Sequence, residues 1–135
     1  SMPRLVHMDD LYPGWDGLSA GSDYALRFVL GPISRGEVAS WQIFDWAAGE
    51  RADWREFRGG TPLIIEGCGA LSRAAAELTD LTVWIEADET LRHERWLARE
   101  GHQFDEQWPL WAAQELDFYA RERAAEIADL TSVSH

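Results

Sequence analysis

Three short apolar runs constrain the fold most, because each ends in acidic residues and is followed by a turn or a helix start. Leu5-Val6-His7-Met8 exits into Asp9-Asp10, Leu63-Ile64-Ile65 into Glu66-Gly67, and Leu81-Thr82-Val83-Trp84-Ile85 into Glu86. Strands of this length that alternate with helical stretches predict an α/β fold with a parallel sheet. The helical stretches are Ser22–Ser34, with Ser22 as N-cap and a kink or stop at Gly31-Pro32, then Ser72–Leu78, then a segment capped by Asp88 or Thr90 that runs to about Glu100. Tyr12 to Gly21 reads as a loop, and Val38–Trp46 as an extended segment that pairs with Trp54–Phe57 across a turn-like Ala-Ala-Gly. A long helix is expected from Asp105 to Ala128, with Trp108, Trp111, Glu115 and Phe118 on one face, where core packing is the simplest use of such a stripe. The tail 128–133 can add a last strand.

In an open α/β sheet, ligands bind beyond the carboxyl ends of the strands, so acids at two strand exits mark a candidate metal or proton site. The same acids have a plainer use: Asp10 or Asp16 can serve a turn, and Glu66 can be a solvated strand exit. The chain has 135 residues, 46% of them hydrophobic, which suits one domain with one core. Eight Trp are more than a core of this size hides, so several indoles are expected part-exposed at a groove or a partner surface. The net charge is −12 and all twelve basic residues are Arg, with no lysine. That balance argues against nucleic acid and anionic lipid as partners, since phosphate-backbone affinity needs clustered cations. A lone Cys68, and the lack of an apolar run long enough to cross a membrane, lead us to expect a cytoplasmic protein with no membrane partner. The four His lack zinc-ligand spacing.

Four blocks together resemble the uridine-kinase-like branch of P-loop nucleoside and small-molecule kinases, over nearly the whole chain. His7-Met8-Asp9-Asp10-Leu11-Tyr12 is similar to that family's strand-end Asp-x-Phe-Tyr block, and Phe44-Asp45-Trp46 with Arg51 to its Tyr-Asp-Phe…Arg acceptor block. Leu63-Ile64-Ile65-Glu66-Gly67 resembles the strand that ends in Glu-Gly. Val83-Trp84-Ile85-Glu86-Ala87, followed by Arg92, Arg95 and Arg99, resembles the strand and Arg-rich helix that lead to the lid.

The resemblance implies a parallel-sheet, three-layer P-loop-kinase-like fold. It implies transfer of a phosphoryl group from ATP, with Mg²⁺, to a small hydroxyl-bearing acceptor such as a nucleoside. Asp9 would be the catalytic base, with Asp10 beside it. Asp10 and Glu66 would lie near Mg²⁺, Tyr12, Trp15, Asp45, Trp46 and Arg51 would hold the acceptor, and Arg92, Arg95 and Arg99 the phosphates.

The three arginines fall at i, i+3 and i+7, which equally suits a solvated face paired with Glu89, Glu94 and Glu100. The family's opening strand, its G-x-x-x-x-G-K-[ST] loop and the helix after it have no counterpart here, and Glu100-Gly101-His102-Gln103-Phe104 lacks further lid arginines. The expectation is therefore a fold incomplete at its N-terminus: residues 1–2 a cloning remnant and 3–135 a single domain, the acceptor-and-lid portion, inactive alone. The rival expectation is a non-catalytic binding or self-assembling module, with a homodimer formed through an exposed sheet edge.

Overall fold

The computed structural model describes residues 2–135, so Ser1, half of the expected Ser1-Met2 leader, lies outside the described residues. The described residues form a mixed α/β molecule with three two-stranded sheets. β1 (Arg4–His7) and β4 (Leu63–Glu66) pair in parallel, with Leu5 opposite Ile64 and His7 opposite Glu66. β2 (Ala39–Asp45) and β3 (Glu50–Phe57) form an antiparallel hairpin that is irregular between Gln42 and Phe44. β5 (Val83–Glu86) and β6 (Leu130–Val133) form a second parallel pair, Trp84 opposite Thr131. The tail strand is thus present and parallel, but the parallel strands make two separate pairs rather than the one sheet expected.

Helix formation follows local chemistry in most places. Asp88 caps α4 (Glu89–Glu100) by accepting from the Leu91 N–H at 2.7 Å, and Ser72 caps the short α3 (Arg73–Ala76) by accepting from Ala75 at 3.1 Å. α5 (Gln107–Glu122) carries Pro109 in its first turn, where no intrahelical N–H is needed, and stops at Arg123, which adopts φ 58° and hands over to α6 (Ala124–Ile127). The expected single helix to Ala128 is therefore broken at that left-handed residue.

The first helical segment departs further from expectation. α1 (Leu18–Ala25) starts inside the predicted loop, and Ser22 is a buried mid-helix residue rather than a cap. Long-range bonding sets that start: the Leu18 N–H donates to Gln114 Oε1 at 3.2 Å, a partner 96 residues away. Gly31-Pro32 does not stop the helix, which continues to Ser34. A wide π-helical stretch, Leu26–Leu30, widens the turn so that the Gly31 N–H reaches the Leu26 carbonyl, and Pro32, which has no N–H, opens α2 (Gly31–Ser34).

The core gathers the inner faces of these elements. Val6, Met8, Leu11, Leu18, Val29 and Trp41 are buried, joined by Trp96 of α4 and by Trp111 and Phe118 of α5. Each such side chain contributes about 1.5–3 kcal/mol by leaving water. The Trp111, Glu115 and Phe118 stripe is buried as its spacing implied, with Trp108 half-buried beside it.

Candidate functional site

Beyond the exit of β1 the chain makes a tight turn, Met8–Asp10, that buries Met8 and turns Asp9 toward a cavity of about 310 Å³. Asp9, Tyr12, Trp15, Trp46, Trp96, Arg99, Glu100, Phe104 and Trp111 line it. Most of the wall is aromatic. Trp15 stands at its centre, with ring centroids 4.9 Å from Trp46, 5.3 Å from Trp96 and 5.0 Å from Phe104. Tyr12 meets Trp111 edge-on at 4.7 Å.

The side chains are held from behind. The Gln114 amide donates to the Trp15 carbonyl at 2.7 Å while its oxygen accepts from Leu18, so α5 pins the loop that carries the central indole. The Trp46 indole donates to the Asp9 carbonyl at 3.0 Å, fastening the end of the hairpin to the turn. The Tyr12 hydroxyl donates to the Cys68 carbonyl at 2.5 Å, tying the exit of β1 to that of β4.

Charge within the cavity is confined to Asp9, Arg99 and Glu100. Asp9 keeps a solvated edge, yet water displaced by its surroundings pushes its carboxyl above the ordinary range; Arg99 opposes that rise, and Glu66, Glu100 and Asp10 add to it. A carboxylate of raised affinity for protons, at the mouth of an apolar box, is suited to accept a hydroxyl proton from a bound molecule. Arg99 bonds Glu100 at 3.0 Å and lies 5.8 Å from the Trp96 ring centre. The Trp96 indole N–H is buried with no partner among the described residues. Behind the wall, the Cys68 thiol lies against Tyr119 and Glu115, and burial pushes it up to about 12, which leaves an unreactive thiol.

The structure thus brings together Asp9, Tyr12, Trp15, Trp46 and Arg99 from the sequence candidates, and leaves the others elsewhere. Asp10 is exposed and does not line the cavity. Glu66 reaches the same end of the sheet as Asp9, through parallel pairing, but its carboxylate bonds His7 Nδ1 at 2.5 Å and stays out of the cavity. Asp45 accepts from the Ala47 and Ala48 N–H groups, both at 3.0 Å, and so closes the turn between β2 and β3.

Arg51 donates to the carbonyls of Gln42 and Leu11 with its guanidinium 3.6 Å over the Tyr24 ring, a role in joining the hairpin to the body. Arg92 bonds the buried Glu115 at 2.6 Å and Arg95 bonds Ser134 at 2.6 Å, so the three arginines do not converge. Seven helical residues rise about 10.5 Å, which separates Arg92 from Arg99 although they share a face.

Sequence reasoning did not assign Trp96, Phe104, Trp111 or Glu100 to a site. The signal available was that Trp96 precedes Arg99 and Glu100 by three and four residues, one face of a single helix. Among the described residues no group of three or more His, Cys, Asp or Glu is arranged to hold a metal ion, and no helix is long and apolar enough to cross a membrane. A second depression, of about 410 Å³, lies by Met2, Arg4 and Phe57, away from the strand exits. No family model matches the chain, and no curated protein matches it either.

Proposed function

We propose that these residues form the acceptor-binding portion of a small-molecule phosphotransferase that resembles the uridine-kinase-like branch of P-loop kinases. In this reading the two parallel pairs are parts of the one parallel sheet of a larger three-layer fold. The observation that carries it is the position of Asp9: a carboxylate at a strand exit, on the rim of an aromatic box that Arg99 also lines. The box takes the body of a small hydroxyl-bearing molecule, a nucleoside being the first to try. Asp9 accepts the hydroxyl proton as the oxygen attacks, and Arg99 balances the charge that develops.

ATP and Mg²⁺, which the resemblance implies, do not fit the residues present. Lysine is absent, Arg92 and Arg95 are engaged by Glu115 and Ser134, and Glu66 is engaged by His7. In this reading the nucleotide-binding element comes from outside these 135 residues. The open edges of the two parallel pairs favour a second reading, a non-catalytic binding or assembly module.

Calorimetric titration of nucleosides and other hydroxyl-bearing metabolites tests the first reading. The expected result is one site per chain, retained in Asp9→Asn and lost in Trp15→Ala, with ATP·Mg²⁺ binding no tighter than about 0.1 mM. Low-micromolar ATP·Mg²⁺ binding, or an acceptor whose affinity ignores Trp15, refutes it. An acceptor that binds but is never phosphorylated once a nucleotide-binding element is supplied favours the module.

A further inference from the structure

Most polar groups in the wall of the aromatic cavity are spent within the protein. The Tyr12 hydroxyl goes to the Cys68 carbonyl, the Trp46 N–H to the Asp9 carbonyl, and the Arg99 guanidinium to Glu100. The Asp9 carboxylate, by contrast, has no hydrogen-bond or ion-pair partner among the described residues, and neither has the buried Trp96 indole N–H. One orphan acceptor and one orphan donor thus line the same cavity. A single hydroxyl serves both, since it donates once and accepts through its oxygen.

The rest of an occupant meets aromatic rings. Trp15 is tilted by 49–53° from Trp46, Trp96 and Phe104, so these four rings form angled walls rather than a flat stack. Aromatic faces attract cations, and most strongly where water is excluded. Formal charge works in the same direction. The cavity holds two carboxylates, Asp9 and Glu100, against the one guanidinium of Arg99, while Glu66 and Asp10 stand close enough to act on Asp9 from outside it. A net charge of −12 without lysine draws cations toward the chain and repels anions. A fully methylated nitrogen suits such a wall, because it is charged yet has no N–H that needs an acceptor. The volume of about 310 Å³ is at the lower end of the range for ligand sites, about 300–1,000 Å³, which favours a compact molecule.

We propose that the preferred occupant of this cavity is a compact quaternary ammonium alcohol, with its methylated nitrogen among the rings of Trp15, Trp46 and Phe104 and its hydroxyl between the Asp9 carboxylate and the Trp96 N–H. A neutral molecule of the same shape still enters, but binds more weakly. The use of the hydroxyl as a phosphoryl acceptor rests on the phosphotransferase reading, whereas the preference for a cation rests on the cavity wall alone.

Calorimetry on the full chain tests it with three probes: choline, its neutral carbon isostere 3,3-dimethyl-1-butanol, and tetramethylammonium, which has no hydroxyl. Choline should bind at one site per chain with a dissociation constant below about 1 mM. The isostere should bind at least about tenfold more weakly although it is the more apolar of the two, and tetramethylammonium at least about threefold more weakly. Phe104→Leu keeps apolar bulk and removes one ring, so it should weaken choline about threefold and leave the isostere within about twofold. An isostere that binds as tightly as choline, an equal loss of both in Phe104→Leu, or no choline binding at about 10 mM each overturns the proposal. The two readings fail separately. A nucleoside that binds in the box while choline does not would overturn the cation and leave the phosphotransferase reading standing. Tetramethylammonium that binds as tightly as choline would support the ammonium site, overturn the placement of the hydroxyl and remove the phosphotransferase reading.

Discussion

Tyr12→Phe isolates the bond that joins the two strand exits. The ring is 2% exposed and would keep its edge contact with Trp111, so the variant removes only the hydroxyl that donates to the Cys68 carbonyl. Losing a hydrogen bond of this kind costs about 0.5–1.5 kcal/mol, and a carbonyl left without its partner adds about 1 kcal/mol. The expected loss is about 2 kcal/mol, or a melting temperature lower by about 8 °C for a domain of this size. Urea denaturation followed by tryptophan fluorescence and by circular dichroism should show coincident transitions with an unchanged m value and a lower midpoint.

A pH series adds a signature. Burial holds the Tyr12 phenol well above its ordinary value of 10.0, so above pH about 10 the unfolded chain loses a proton that the folded chain keeps. Wild-type stability falls there, the variant has no Tyr12 proton to lose, and the gap between them narrows. A variant within about 0.5 kcal/mol of wild type at pH 7, or a gap that widens above pH 10, would refute the reasoning.

Four other outcomes follow from the same contacts. Gly21→Ala should destabilise by about 1–3 kcal/mol in thermal unfolding despite alanine's better helix propensity, because the new Cβ would sit 2.6 Å from the Tyr12 ring. His7 should titrate by NMR above its ordinary 6.5, chiefly through its hydrogen bond to Glu66, and move back in Glu66→Gln; the stabilisation is complete below pH 6.5 and fades as pH rises through the raised midpoint. Asp45→Ala should cost about 1 kcal/mol through the lost turn bonds and leave acceptor affinity unchanged in calorimetry. Arg99→Ala should change the affinity of the cavity for an anionic ligand such as a nucleoside monophosphate, whereas Arg95→Ala should leave it unchanged.

What could be read from the sequence was what local chemistry decides. The runs at Leu5, Leu63 and Val83 are strands, Asp88 caps a helix, and the stripe through Trp111 and Phe118 is buried, because alternation, capping oxygens and helical spacing act over a few residues. Distant partners decided the rest. Leu18 begins a helix because Gln114 accepts its N–H, and Gly31-Pro32 stays helical because the preceding turn widens. At the site, the exit of β1 placed Asp9, Tyr12 and Trp15 together within one turn and loop, which the sequence made visible. The arginines could not be sorted from spacing, since Glu115 and Ser134, which claim Arg92 and Arg95, come from residues far along the chain. Asp45 and Arg51 carry motif-like spacing that the hairpin uses for its own turn and attachment.

The central claim, that a small hydroxyl-bearing molecule occupies the aromatic box beside Asp9, is tested most directly by the indole N–H signals of the eight tryptophans in a ¹⁵N-labelled protein titrated with a nucleoside. The account predicts saturable shifts of Trp15, Trp46, Trp96 and Trp111, the four indoles that line the cavity, while Trp41, Trp54 and Trp84 stay in place. Shifts confined to Trp54 or Trp84, or no saturable shift from any hydroxyl-bearing metabolite tried, would contradict it.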